Sequence, residues 1–309
     1  MSDEVVRALG LDGRVRAVAA VTTETVERLR RIHDPSPTVT AALGRLATGA
    51  LLLAASLEKV TAREPVLTVE VDGGGPAGRL LATASPSGWV RATVAEPRAQ
   101  APFREDGKLH VAGVVGSSGT LAVTRDPGTG EPYRGVVRLV SGELGKDLAR
   151  YLDESEQTPA AVVLGVHVVP EGRVDHAGGY VLQLLPGVPE ATAREISRRV
   201  LALGPVTGLL QNGETPEEWL RQLLPEGLEI LDRTPARFLC GCSMDRVERA
   251  LKLLGETEIR SMLDEGGDRE VVLTCEFCRT AYPVPRARLR KLLAEVREEG
   301  SPSGREPEP

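Results

Sequence analysis

Aromatic residues are scarce: Phe, Trp and Tyr together form 3% of the 309-residue chain. The cores must therefore be aliphatic, and a base-stacking platform for single-stranded nucleic acid has little to be built from. The net charge of −6 at pH 7 also argues against the basic footprint that a phosphate backbone requires, so no nucleic-acid partner is expected. Long apolar runs are missing too. The longest uncharged one, residues 46–57, falls well short of the roughly 20 residues that span a bilayer; it predicts a buried helix and no membrane partner. The opening MSDEVVRALGLDGRVRA has no apolar core behind a basic segment, so it does not read as a secretory signal, and a cytoplasmic protein is the expectation. Cysteine is the last scarcity. There are four, Cys240, Cys242, Cys275 and Cys278, all in the last quarter of the chain.

What is present is the composition of a globular protein, 41% hydrophobic and 27% charged, long enough for two domains. Residues 14–21 predict a strand and 22–32 a helix. Ser36 and Pro37 then form an N-cap and first helical position for an Ala- and Leu-rich helix over 38–61. After Pro65 the pattern alternates, and strand-like runs follow at WVRATVAE, GTLAVTRD, YRGVVRLV, AAVVLGVHVV and YVLQLLP. DGGGPAG, DPGTGEP and HAGG read as the turns between them. One helix interrupts, with Ser141 near its start and Leu144, Leu148, Tyr151 and Leu152 on one face. From 189 to 224 three short helices read as a connector. The expected class is α+β: a mostly antiparallel sheet domain with helices over 1–186, a helical linker over 187–229, a small zinc-binding domain over 230–296, and a disordered tail over 297–309.

Several motifs lose their chemistry on inspection. DGGGPAGR lacks the Gly-Lys-Ser/Thr ending of a phosphate loop and precedes a strand, so it predicts a hairpin loop. GSSGT gives Ser118 no glycine in register and no partner for acyl transfer. His33, His110, His167 and His176 are scattered before the cysteines, each more simply a solvated or hydrogen-bonded side chain than a ligand. Arg286, Arg288, Arg290 and Lys291 in PRARLRKLL form a charged helix face.

The cysteines do not dissolve in this way. Thirty-two residues separate Cys242 from Cys275. Ser243 can cap a helix carrying Met244, Val247, Ala250, Leu251 and Leu254, which Gly255 ends. Ile259, Met262 and Leu263 mark a second helix, stopped by Gly266 and Gly267. REVVLT then runs as a strand into Cys275, and TAYPV returns after Cys278. Four thiolates suit tetrahedral Zn²⁺, and a domain of this size with a thin core needs such a staple. Each pair is also near enough in sequence to close on itself. A thiol–disulfide oxidoreductase would instead place Cys-x-x-Cys at a helix N-terminus after a strand, and would leave Cys-x-Cys without a role. A constitutive zinc-stapled binding module is the other alternative.

With these residues in place the chain resembles, over nearly its whole length, the 33-kilodalton heat-shock chaperonin family, the redox-regulated bacterial holdases. The most specific likeness is Cys240-x-Cys242 with Cys275-x-x-Cys278 followed by Tyr282. EPYRGVV, LARYLDESEQTP and AGGYVLQLLPG are similar, in that order, to the family's first domain. The resemblance implies an ATP-independent chaperone and no enzyme. In its reduced, inactive form all four cysteines hold one Zn²⁺ per chain. On oxidation Cys240 pairs with Cys242 and Cys275 with Cys278, zinc leaves, and the linker and C-terminal domain unfold. The exposed surface then holds unfolding or oxidatively damaged client proteins, and a homodimer is allowed for the activated form.

Overall fold

A computed structural model describes residues 1–57, 63–265 and 270–300, and the chain divides into two compact units, Met1–Leu239 and Cys240–Pro309. The first unit opens with β1 (Glu4–Gly10) and β2 (Val15–Val21), then α1 (Thr23–His33) and α2 (Pro37–Ala54). Ser36 Oγ accepts the Val39 amide at 3.3 Å and Pro37 fills the first helical position, as the sequence predicts. The helix ends at Ala54 rather than residue 61. Bonds from Ser56 N to Leu53 O and Leu57 N to Ala54 O tighten the chain there, and Ser56 Oγ takes the Leu53 carbonyl at 2.7 Å. The rest of the expected helix, 58–61, lies outside the described residues.

Next come β3 (Val66–Asp72), β4 (Leu80–Ala84), β5 (Trp89–Val94), α3 (Val111–Val115), β6 (Thr120–Asp126), β7 (Tyr133–Arg138) and α4 (Gly145–Glu154). The unit continues through β8 (Ala160–Val168), β9 (Val174–Leu184), α5 (Glu190–Leu203), α6 (Val206–Gln211), α7 (Pro216–Leu223), β10 (Glu229–Pro235) and β11 (Arg237–Phe238). Two sheets result, in the orders β10-β1-β2-β9-β8 and β11-β5-β4-β3-β6-β7. Among the described residues every pairing is antiparallel except β11 with β5. The α+β class is therefore as the sequence predicts.

Between the sheets lies α2, almost wholly buried and packed on strands of both. By length and composition it alone among the described helices could cross a membrane, but it is the core helix of this unit. The five-stranded sheet is covered on both faces. Val5, Val18, Ala20 and Val181 join the core around α2, while Val6, Ala19, Val21 and Tyr180 join a second core beneath α5–α7. Double burial explains why VRAVAAV shows no polar alternation. In β3 only Leu67, Val69 and Val71 are buried, so that strand alternates cleanly.

Three expectations need correction. HAGG is not a turn: it lies inside β9, and the β8–β9 turn closes with Val169 N bonded to Arg173 O. The glycines serve close approach instead, since a Cβ on Gly178 would stand 2.6 Å from Ala20 O and 3.4 Å from the Trp219 ring. The helices of 187–229 are more than a connector. Ile196, Leu209, Leu210, Trp219, Leu220 and Leu223 are buried against β1, β2 and β9, whereas Leu201 is 81% exposed. Residues 230–238, expected in the C-terminal domain, belong to the first unit, because β10 pairs with β1 and β11 with β5.

The second unit holds α8 (Met244–Glu265), β12 (Val271–Thr274), β13 (Ala281–Val284) and α9 (Arg286–Gly300). As predicted, the helix breaks at Gly255, whose φ of 88° suits a residue without Cβ. Gly266 and Gly267, the expected stop, lie outside the described residues. The core is small: Leu251, Ile259, Val284, Leu289, Leu292 and Leu293. Within the basic stretch, Arg288 on α9 pairs with Glu248 and Glu295. α9 reaches Gly300, inside the tail expected to be disordered from 297; residues 301–309 lie outside the described residues.

Candidate metal centre

The ladder of β12 and β13 ends with Thr274 opposite Ala281, and the knuckle between them carries Cys275 and Cys278. Cys275 N donates to Thr280 O at 3.0 Å and Arg279 N to Cys275 O at 2.9 Å, with Arg279 in the left-handed region at φ 58°. This tight closure turns both thiols the same way. Cys240 and Cys242 stand just before α8, where Ser243 Oγ accepts the Arg246 amide at 3.3 Å and so fixes the helix start.

All four Sγ atoms lie within 4.8 Å of one another. Cys242 and Cys278 are 3.2 Å apart and Cys240 and Cys275 3.7 Å, and all four are free thiols. Around a tetrahedral ion with Zn–S of about 2.3 Å, sulfurs sit about 3.8 Å from each other. The donor set and spacing therefore fit a divalent soft-to-borderline cation. No histidine shares the unit. Of the residues singled out in the sequence, the four cysteines are brought together. His33 is a buried core residue, its Nε2 3.0 Å from Ala92 O. DGGGPAG is the β3–β4 hairpin loop, with Gly73 and Gly75 pressed on the backbone of 114–116. Ser118 lies in a loop against Gly73 O.

Two further side chains touch the sulfurs. Tyr282 donates its hydroxyl to Cys242 Sγ at 2.9 Å, and Thr280 Oγ1 lies 3.1 Å from Cys278 Sγ. Tyr282 was visible in the sequence, but Thr280 was not, since only the knuckle's closure turns it back on Cys278. These contacts divide the thiols electrostatically. Burial pushes Cys240 up to about 12 and raises Cys242. Burial acts upward on Cys278 as well, but hydrogen bonds from the Thr280 hydroxyl and backbone outweigh it and bring this thiol down to about 6. Cys278 thus ionises more readily than Cys240 or Cys242, whose burial disfavours the thiolate until a cation compensates its charge. Tyr282 is held up at about 12 by its bond to Cys242, so it remains a donor.

An α+β unit followed by a small four-thiol unit defines a class of cysteine-centred, two-unit proteins. A sequence profile described as "Hsp33 protein" matches residues 3–285. The 33 kDa chaperonin of Bacillus subtilis is 44% identical over 280 residues, 91% of this chain and 94% of that protein. Its counterpart in Bacillus velezensis is 42% identical over 294 residues, covering 95% and 99%. The crystal structure of the 33 kDa chaperonin (heat shock protein 33 homolog) of Thermotoga maritima superposes with a TM-score of 0.86 at 30% identity, covering 96% of this chain and all of that one. The chain belongs to the Hsp33 family, and so to the chaperones.

Proposed function

We propose that the chain is a redox-regulated, ATP-independent holdase of the cytoplasm, held inactive by one Zn²⁺ on Cys240, Cys242, Cys275 and Cys278. The observation that carries this reading is the grouping of four reduced sulfurs within 4.8 Å in a unit whose buried core is six side chains. A bound cation would keep the thiolates deprotonated and tie the segment before α8 to the β12–β13 knuckle.

Thiolates are the form that peroxide attacks. In each pair two thiolates give two electrons to one hydrogen peroxide. Its O–O bond breaks, an S–S bond forms, and with two protons from solvent the oxygens leave as two waters. Oxidation thereby removes every ligand. Metal binding at comparable sites contributes ~10–16 kcal/mol, against ~5–15 kcal/mol for the whole stability of a typical domain. The small unit then unfolds. Chain continuity from Cys240 through β11 and β10 to α7 transmits the loss to the helices over the five-stranded sheet. Trp219, Leu220, Leu223 and Leu210 supply an apolar face for unfolded or oxidatively damaged clients.

Pairing is expected as Cys240–Cys242 and Cys275–Cys278, although the shortest sulfur separations in the folded centre run between the pairs. Once the unit opens, cysteines two or three residues apart stay close while those 35 or 36 apart separate, so exchange settles on the local bonds. Peptide mapping of the peroxide-treated protein checks this. Two local disulfides are the expected result. Dominant peptides joining Cys240 to Cys275 or Cys242 to Cys278 would staple the unit shut and defeat the mechanism. The oxidoreductase alternative is not favoured, because Cys275-x-x-Cys278 occupies a hairpin knuckle and not a helix N-terminus.

A further inference from the structure

Residues 229–239, the last of the first unit before Cys240, lie along the edges of both its sheets. β10 is the outermost strand on β1, and β11 the outermost strand on β5. Of this stretch only Ala236 is buried. β10 alternates exposed and half-buried side chains, and Ile230 is the one it packs on the core beneath α5–α7. Its hold on β1 is a backbone ladder whose register slips between Arg7 and Ala8, with the ion pairs Arg7–Asp232 and Glu4–Arg233 across it. Asp232, Arg233 and Pro235 are also the residue types that keep an outer strand from recruiting another chain. β1 is of the opposite kind. Val5 is buried in the core around α2, and Val6 and Ala8 in the core beneath α5–α7. Without β10, this strand would present unpaired main-chain groups with apolar side chains on both faces.

We propose that β10 is a removable guard strand, and that β1, once uncovered, takes an extended segment of unfolded client as an antiparallel strand in its place. Release rests on the switch proposed above, in which the chain before Cys240 loses its tether. Arg233 is the joint between strand and helices, since its guanidinium bridges Glu4 on β1 and Glu217 on α7. Loosening α7 therefore removes one of the ties of β10 as well. The sheet already accepts an occupant of the required form: β10 pairs through six residues and brings one apolar side chain. A client segment with several apolar residues would bury more than β10 does. Main-chain N–H and C=O groups would supply the pairing, so many sequences could bind, and the two apolar faces would favour segments that only an unfolded chain exposes. This edge would add to the helical face around Trp219. The β5 edge offers less, because His33 Nε2 stands 3.0 Å from Ala92 O and occupies it beyond β11.

The test uses the peroxide-treated full chain and a short peptide of alternating valine and threonine with lysine at its ends. Hydrogen exchange over 4–10 is followed before oxidation, after it, and with the peptide added. Oxidation is expected to strip protection from the β1 amides that face β10, and the peptide to restore it. A copy of the peptide N-methylated at two adjacent residues loses one donor from each edge and keeps its side chains. It is expected to bind about ten-fold more weakly or worse. Protection over 4–10 that survives oxidation, protection that the peptide does not restore, or equal binding of the two peptides would overturn the edge site. Suppression of client aggregation is read on the same oxidised sample. If it is present while the edge fails, the holdase stands and clients are held elsewhere. If it is absent, the holdase reading itself fails, and the edge is still judged by the two peptides.

Discussion

Serine in place of Cys275 is expected to weaken zinc binding about a hundred-fold, to unfold the second unit and to lower protection over 190–223, while the core around α2 keeps its transition. If ~10–16 kcal/mol is shared among four thiolates, each carries about 3 kcal/mol, and a neutral hydroxyl does not replace it. The remaining core of Leu251, Ile259, Val284 and the α9 leucines is too small to hold the fold unaided. The first unit contains no cysteine, and its core around α2 draws on no residue of α5–α7. Metal competition gives the affinity, and hydrogen exchange gives the protection of each unit. Unchanged affinity, or full protection over 244–297, would remove the four-thiolate centre.

Alanine in place of Trp219 is expected to cost about 3–5 kcal/mol locally, the usual loss for a large buried aromatic. This ring is fully buried, in the same core as Tyr180, Leu210 and Leu220, and closes on the space left by Gly178. It is carried by α7 and heads the fully buried side chains by volume, so α7 loses its principal anchor on the sheet. The reduced variant should lose exchange protection over 190–223, bind an apolar dye, and suppress client aggregation without any oxidant. Leu201→Ala, at an 81%-exposed position, should change none of these. Wild-type protection in Trp219→Ala, or loss of protection with no gain in client holding, would separate this apolar face from the chaperone function.

Local chemistry was legible in the sequence, and cross-chain partnership was not. Ser36 and Pro37 mark the start of α2 because a cap and a fixed φ act within one turn. The end of α2 depends on Ser56 reaching back to Leu53, a weaker signal than the apolar run that continues past it. β1 and β10 went unseen because their charged residues look solvent-bound when read singly. They are paired instead across the ladder, Arg7 with Asp232 at 3.2 Å and Arg233 with Glu4 at 3.6 Å. HAGG looked like a turn since glycine marks both turns and close approach, and only the position of Trp219 decides between them. The cysteine spacing announced the centre, while its convergence needed α8, Gly255 and the β12–β13 knuckle to bridge the 32-residue gap.

The central claim is that oxidation of the four thiols turns client binding on. Light scattering of a heat-unfolding client measures it directly, with the zinc-loaded reduced protein and the peroxide-treated protein compared at equal concentration. The reduced form is expected to suppress little and the oxidised form strongly, with return toward the reduced level when thiols and zinc are restored. Equal suppression by both forms would contradict it, and would leave the cysteine centre as a staple with no part in regulation.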